Sequence, residues 1–101
     1  MAGTTTKKSL KTVSPGKDLT ESTVEVFREK LLKLTEQNIK ELAIDMKNVQ
    51  SMDSTGLGVL IAAKNSLDQT GGRLSLKNVQ EDIEIFLKMM GLDRYFSVNA
   101  A

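Results

Sequence analysis

The chain lacks the residues on which most catalytic and metal chemistry depends. Its 101 residues include no cysteine and no histidine, which excludes disulfide frameworks, thiol nucleophiles, ordinary zinc sites and Ser-His-Asp hydrolysis. Isolated aspartates such as Asp45, Asp53 and Asp68 are more often solvated or helix-capping residues than a metal site or an acid–base pair. The sequence therefore predicts a protein that is not an enzyme and that holds neither a metal nor a cofactor.

An excess of charge of one sign and long hydrophobic runs are also missing. The 14 Lys and Arg residues nearly balance the 13 Asp and Glu residues, so a general affinity for nucleic acid or membrane surfaces is not expected. The longest apolar run, residues 59–63, is far shorter than the roughly 20 residues that span a bilayer. The first five residues lack the apolar core of a signal peptide. We expect a cytoplasmic protein, with a monomer favoured, that binds other proteins without direct nucleic-acid contact or membrane insertion.

Length and patterning predict one domain with a short tail. A chain of this length with 40% apolar residues supports one modest core. Residues 1–8 are small, polar and basic, which predicts a flexible basic tail ahead of a domain over residues 9–101.

Strand and helix patterns alternate along the domain. The first predicted elements are a strand over residues 9–14 with Leu10 and Val13 inward, a helix from Thr20 or Ser22 to about residue 37, and a strand that buries Leu42, Ile44 and Met46 on one face. A helix from about Ser54 to Gly71 and a strand around Leu74 and Leu76 follow. The last predicted elements are a helix from Glu81 to Gly91 and an edge strand over residues 95–98. Such alternation predicts helices packed on a sheet with at least some parallel neighbours.

The most informative segment is SMDSTGLGVLI, residues 51–61, where hydroxyls and small residues open into an apolar helical run. Asp and Ser favour N-cap positions, and glycines allow close approach to the backbone, so this segment predicts an exposed helix N-terminus. Free N–H groups and the helix dipole favour negative charge there, such as a bound anion or an attached phosphate. Gly56 and Gly58 serve either tight packing or the approach of a partner.

The same residues resemble the signature of the STAS domain family, and specifically of the bacterial anti-sigma factor antagonists, Asp-Ser-(Ser/Thr)-Gly-Leu-Gly. Residues 19–31 are similar to the first helix of that family, residues 42–46 to the strand before its phosphosite, and residues 89–92 to its Ser/Thr-Gly-Leu ending. The resemblance covers roughly residues 9–98 and implies an α/β fold, a single STAS-like domain with a mixed β-sheet and helices packed mainly on one face.

The resemblance implies a partner switch. Unphosphorylated antagonists bind a serine kinase that is also an anti-sigma factor and thereby release a sigma factor; phosphorylation breaks the complex, and a serine phosphatase restores it. The phosphoacceptor of the family maps onto Ser54, with Thr55 as second choice. The partner-binding residues implied are Thr20, which stands where the family usually has Asp, and the motif residues Asp53, Ser54, Thr55, Gly56, Leu57 and Gly58.

Two other classes of function stay open. STAS-like domains also serve as scaffold or regulatory subunits in stressosome-type or lipid-transport assemblies, without phosphoswitching. The helix N-terminus could alternatively bind a small anionic ligand or nucleotide, although the sequence has no glycine-rich phosphate loop of sufficient length.

Overall fold

A computed structural model of the protein describes residues 10–37 and 39–100. The tail predicted over residues 1–8 and the start of the first strand at Ser9 lie outside the described residues. The elements within them are β1 (Leu10–Val13), β2 (Asp18–Leu19), α1 (Val24–Thr35), β3 (Glu41–Asp45), β4 (Ser51–Met52), α2 (Ser54–Gln69), β5 (Arg73–Val79), α3 (Glu81–Met89) and β6 (Ser97–Ala100). The α/β fold class is confirmed.

The described strands form two sheets, a four-stranded one in the order β1-β3-β5-β6 and a two-stranded one of β2 and β4. The alternation of elements predicted at least some parallel neighbours and the family resemblance implied a mixed sheet; every strand pair among the described residues is parallel. The reason is that a helix follows β1, β3 and β5 and returns the chain in the same direction each time. Because all three crossovers step the same way across the sheet, right-handed connections place the three helices on one face.

The core lies between that face and the helices. One row of residues crosses the whole sheet in register, and it consists of Val13, Ile44, Leu76 and Val98. Ile44 and Leu76 are fully buried in its centre, where they join Phe27 of α1, Leu60 of α2 and Leu87 of α3 in one cluster. The next row along the strands faces the opposite side and is built from small residues such as Ala43 and Ser75. The larger apolar side chains are thus concentrated on the helix-covered face.

Three local predictions need correction. Leu10 is half exposed, because it stands three residues from Val13 and side chains alternate between faces along a strand. Ala43 is buried together with Leu42 and Ile44, because its small side chain lies between the flanking strands β1 and β5. The last strand begins at Ser97 rather than at residue 95, because the amide of Tyr95 bonds the carbonyl of Leu92 in a turn.

The first helix starts at Val24, later than predicted. The amide of Thr23 donates to the carbonyl of Thr20 at 3.0 Å and closes a turn. The Thr23 hydroxyl donates to the carbonyl of Asp18 at 3.0 Å. The hydroxyl-rich residues 20–23 therefore form a turn that links β2 to α1.

None of the helices in the described part of the chain has the length and apolar character needed to cross a membrane.

Candidate functional site

Asp53 caps helix α2 and brings the predicted phosphosite to its first turn. Its backbone is extended, and its Oδ1 accepts a hydrogen bond from the amide of Gly56 at 3.0 Å, which is the N-cap geometry that the sequence predicted. Ser54 is the first helical residue and is exposed, whereas Thr55 is half-buried. The Ser54 hydroxyl is therefore accessible at the positive end of a helix of 16 residues.

The second oxygen of Asp53 holds the turn that precedes α1. Asp53 Oδ2 accepts from the amide of Glu21 at 3.0 Å, and the amide of Asp53 donates to the carbonyl of Leu19 at 3.3 Å. Bonds from backbone N–H groups stabilise the charged form of the carboxylate, so those of Gly56 and Glu21 lower the pKa of Asp53 below its ordinary value of 3.8. Asp53 is thus ionised near neutral pH and joins two chain segments far apart in sequence.

The short β2–β4 sheet completes this junction. Asp18 pairs with Ser51 and Leu19 with Met52, and the Ser51 hydroxyl donates to Asp18 Oδ1 at 2.7 Å. Sequence reasoning missed this pair of strands, because two-residue strands carry no periodicity. The signal available was the polar match of Asp18 and Ser51, which becomes visible only once the register is known.

The two motif glycines have different structural roles. A Cβ on Gly56 would lie 1.9 Å from the carbonyl oxygen of Leu19, whereas a Cβ on Gly58 would meet nothing within 4 Å. Gly56 therefore lets the first turn of α2 approach the backbone of β2 closely. Gly58 is exposed and leaves open space beside the helix.

The structure places most of the predicted site residues on one surface and buries two of them. Gly56 is buried, and Leu57 is 3% exposed within the core. Gly56 packs against the backbone of Leu19 and Leu57 faces the core, so their contact with a partner stays a prediction that this surface does not support. Thr20 lies in the turn held by Asp53, with its hydroxyl 3.2 Å from that of Ser22. The surface residues, called the Ser54 surface below, are Thr20, Asp53, Ser54, Thr55 and Gly58.

Comparison with known proteins identifies the family. A model of the STAS domain matches residues 3–101. The chain belongs to the STAS domain family. The anti-sigma-B factor antagonist of Bacillus subtilis (strain 168) is 39% identical over 75 residues, which cover 74% of this chain and 68% of that protein.

Solved structures share the fold at lower identity. A Thermotoga maritima protein superposes with a TM-score of 0.81 at 23% identity, over 92% of this chain and 80% of the other. The phosphorylated form of SpoIIAA, a Bacillus cell fate determinant, superposes with a TM-score of 0.72 at 20% identity, over 93% and 85%. The STAS domain described here thus has the same arrangement of strands and helices as a protein known in a phosphorylated form.

Proposed function

We propose that this STAS domain is an anti-sigma factor antagonist that is switched by phosphorylation of Ser54. The observation that carries the proposal is the exposed Ser54 hydroxyl at the start of α2, directly after the capping Asp53. The family and the name of the Bacillus subtilis relative support the antagonist role. SpoIIAA, which shares the fold, is known in a phosphorylated form, and this supports phosphorylation as the switch.

Ser54 is favoured over Thr55 as the acceptor by its exposure. A kinase must place the hydroxyl in line with the γ-phosphate of ATP, so the acceptor must be reachable from solvent. Ser54 is exposed, whereas Thr55 is half-buried and lines a groove together with residues of α1 such as Arg28 and Leu31. Thr55 therefore serves as a partner contact in this proposal, and Ser54 is the substrate.

The unphosphorylated domain binds an anti-sigma factor that is also the serine kinase, and this binding frees a sigma factor. The Ser54 surface is the binding surface, because the kinase must reach this hydroxyl. A phosphate carries about −1.5 to −2 charge, and burying it unpaired in the complex costs several kcal/mol, which corresponds to more than a hundredfold loss of affinity. Phosphorylation therefore dissociates the partners, and a serine phosphatase resets the domain.

The phosphate leaves the fold intact in this account. A negative charge at an exposed helix N-terminus gains roughly 0.3–1 kcal/mol from the helix dipole. The neighbouring Asp53 carboxylate repels it, but solvent and salt screen that repulsion. The switch is thus electrostatic and acts at the interface rather than through unfolding.

Phosphate mapping tests the proposal. The chain is incubated with ATP and the purified anti-sigma factor kinase of the same organism, and the product is digested and analysed by mass spectrometry. We expect one phosphate on Ser54, none on the Ser54→Ala variant, and full modification of the matched Thr55→Ala variant. A phosphate on another residue, or none on the wild type, would refute the assignment.

A further inference from the structure

A groove runs along the surface between helices α1 and α2 and begins at the Ser54 surface. Its volume is about 350 Å³. The α1 wall is formed by Arg28, Leu31, Leu32 and Thr35, and the α2 wall by Thr55, Gly58, Val59, Ala62, Ala63 and Ser66. Thr55 and Gly58 thus belong both to the groove and to the Ser54 surface, so a partner that covers Ser54 also meets the open end of the groove.

The shape and polarity of the groove restrict what fits it. Gly58, Ala62 and Ser66 follow each other at intervals of four residues along α2, so they form one row of small side chains about 12 Å long. Leu32 is 58% exposed on the opposite wall, which leaves a large aliphatic surface in water. The groove is therefore mainly apolar, and its small residues allow the main chain of a partner to approach.

Both walls are helices, and this decides between a strand and a helix as occupant. The backbone N–H and C=O groups within a helix are bonded to each other, so the walls offer no sheet edge on which an extended peptide could add a strand. A helical partner instead inserts side chains at positions i, i+4 and i+7, which span about 10.5 Å. This length matches the row of small residues on α2.

The charge of the lining indicates the sign of the partner. Arg28 is the one charged residue among the groove residues named above, and its guanidinium is half exposed in an ion pair with Glu25. Glu25 takes one guanidinium N–H group, and a carboxylate from the partner can accept from the others.

We propose that the groove docks an amphipathic helix of the anti-sigma factor, with aliphatic side chains at i, i+4 and i+7 and an acidic residue beside Arg28. This inference rests on the proposed function and adds a second contact to the Ser54 surface. It also gives phosphorylation a further effect, because the new negative charge stands at the mouth of the groove through which an acidic partner helix enters.

The test compares exposed apolar residues on the same helix, one inside the groove and one outside it. Leu32→Ser removes an aliphatic wall, whereas Val26→Ser changes a residue that is 73% exposed on α1 and does not line the groove. Binding of the purified anti-sigma factor kinase is measured by calorimetric titration. We expect Leu32→Ser to weaken the affinity about tenfold or more, as removal of an interface anchor does, and Val26→Ser to change it by less than about twofold.

A second variant fills the groove instead of enlarging it. Ala62 is exposed on α2, and Ala62→Leu keeps a good helix former while occupying the space, so it too should weaken binding. Equal affinity of wild type, Leu32→Ser and Ala62→Leu for the kinase would overturn the groove inference. The proposed function would survive that result if Ser54→Asp still abolished binding. No binding by the wild-type domain would refute the proposed function and the groove inference together.

Discussion

The contrast between Gly56 and Gly58 yields a sharp stability prediction. In Gly56→Ala, the new Cβ would overlap the carbonyl oxygen of Leu19 at 1.9 Å and the carbonyl carbon at 2.7 Å. Since Leu19 is completely buried, β2 must shift by more than 1 Å, an estimate from ordinary contact distances of about 3.5 Å. The shift also breaks the hydrogen bond from the amide of Asp53 to this carbonyl.

The magnitudes follow from overpacking and from the lost bond. Overpacking costs about 1–3 kcal/mol and a lost hydrogen bond about 1 kcal/mol, so we expect Gly56→Ala to lose about 3 kcal/mol. For a domain of this size, that lowers Tm by roughly 12–24 °C. Gly58→Ala should instead gain about 0.5–1 kcal/mol, because alanine restricts the unfolded chain and nothing near Gly58 resists the added methyl.

Scanning calorimetry on the two variants and the wild type measures the difference directly. We expect the Gly56→Ala transition below the wild-type midpoint and the Gly58→Ala transition above it. A Gly56→Ala midpoint within a few degrees of wild type, or a Gly58→Ala midpoint well below it, would refute the packing argument. Gly58→Ala should also bind the anti-sigma factor more weakly although it is more stable, since its methyl occupies the surface that the partner covers.

Three further outcomes are expected. Asp53→Asn should lower Tm at neutral pH. Because the pKa of Asp53 is lowered in the folded state, the stabilisation by its carboxylate is complete above about pH 3.8 and is lost as the pH falls through the folded pKa. Calorimetric scans from pH 7 downwards should therefore show the midpoints of wild type and variant converging, and a constant gap would contradict this. Ser51→Ala and Asp18→Ala should each lower the free energy of unfolding by about 0.5–1 kcal/mol in urea titrations, and the double variant should lower it by less than the sum of the two. Strict additivity would show that the 2.7 Å hydrogen bond between the two side chains contributes nothing. The purified chain alone should release no phosphate from ATP in a colorimetric assay, and sustained release would overturn the view that Ser54 is only a substrate.

The sequence predicted the elements that have strong periodicity. The start of α2 at Ser54 and its end before Gly71 follow from the Asp cap and from a glycine with φ of 78°. The end of α3 is explained in the same way by Gly91 with φ of 73°. In both helices, local chemistry and tertiary packing favour the same boundary.

Predictions failed where long-range contacts decide the structure. The β2–β4 pair depends on a register between residues more than 30 positions apart, which no local pattern contains. The amide of Glu21 that bonds Asp53 Oδ2 belongs to the site only because of that register.

The most direct test of the central claim is a titration of the anti-sigma factor kinase with the domain before and after phosphorylation, together with a calorimetric scan of both forms. We expect the phosphorylated domain to keep nearly the same Tm and to lose more than about a hundredfold in affinity. Binding that persists after phosphorylation of Ser54 would contradict the switch. A large fall in Tm would show that the phosphate acts by disrupting the fold instead of the interface.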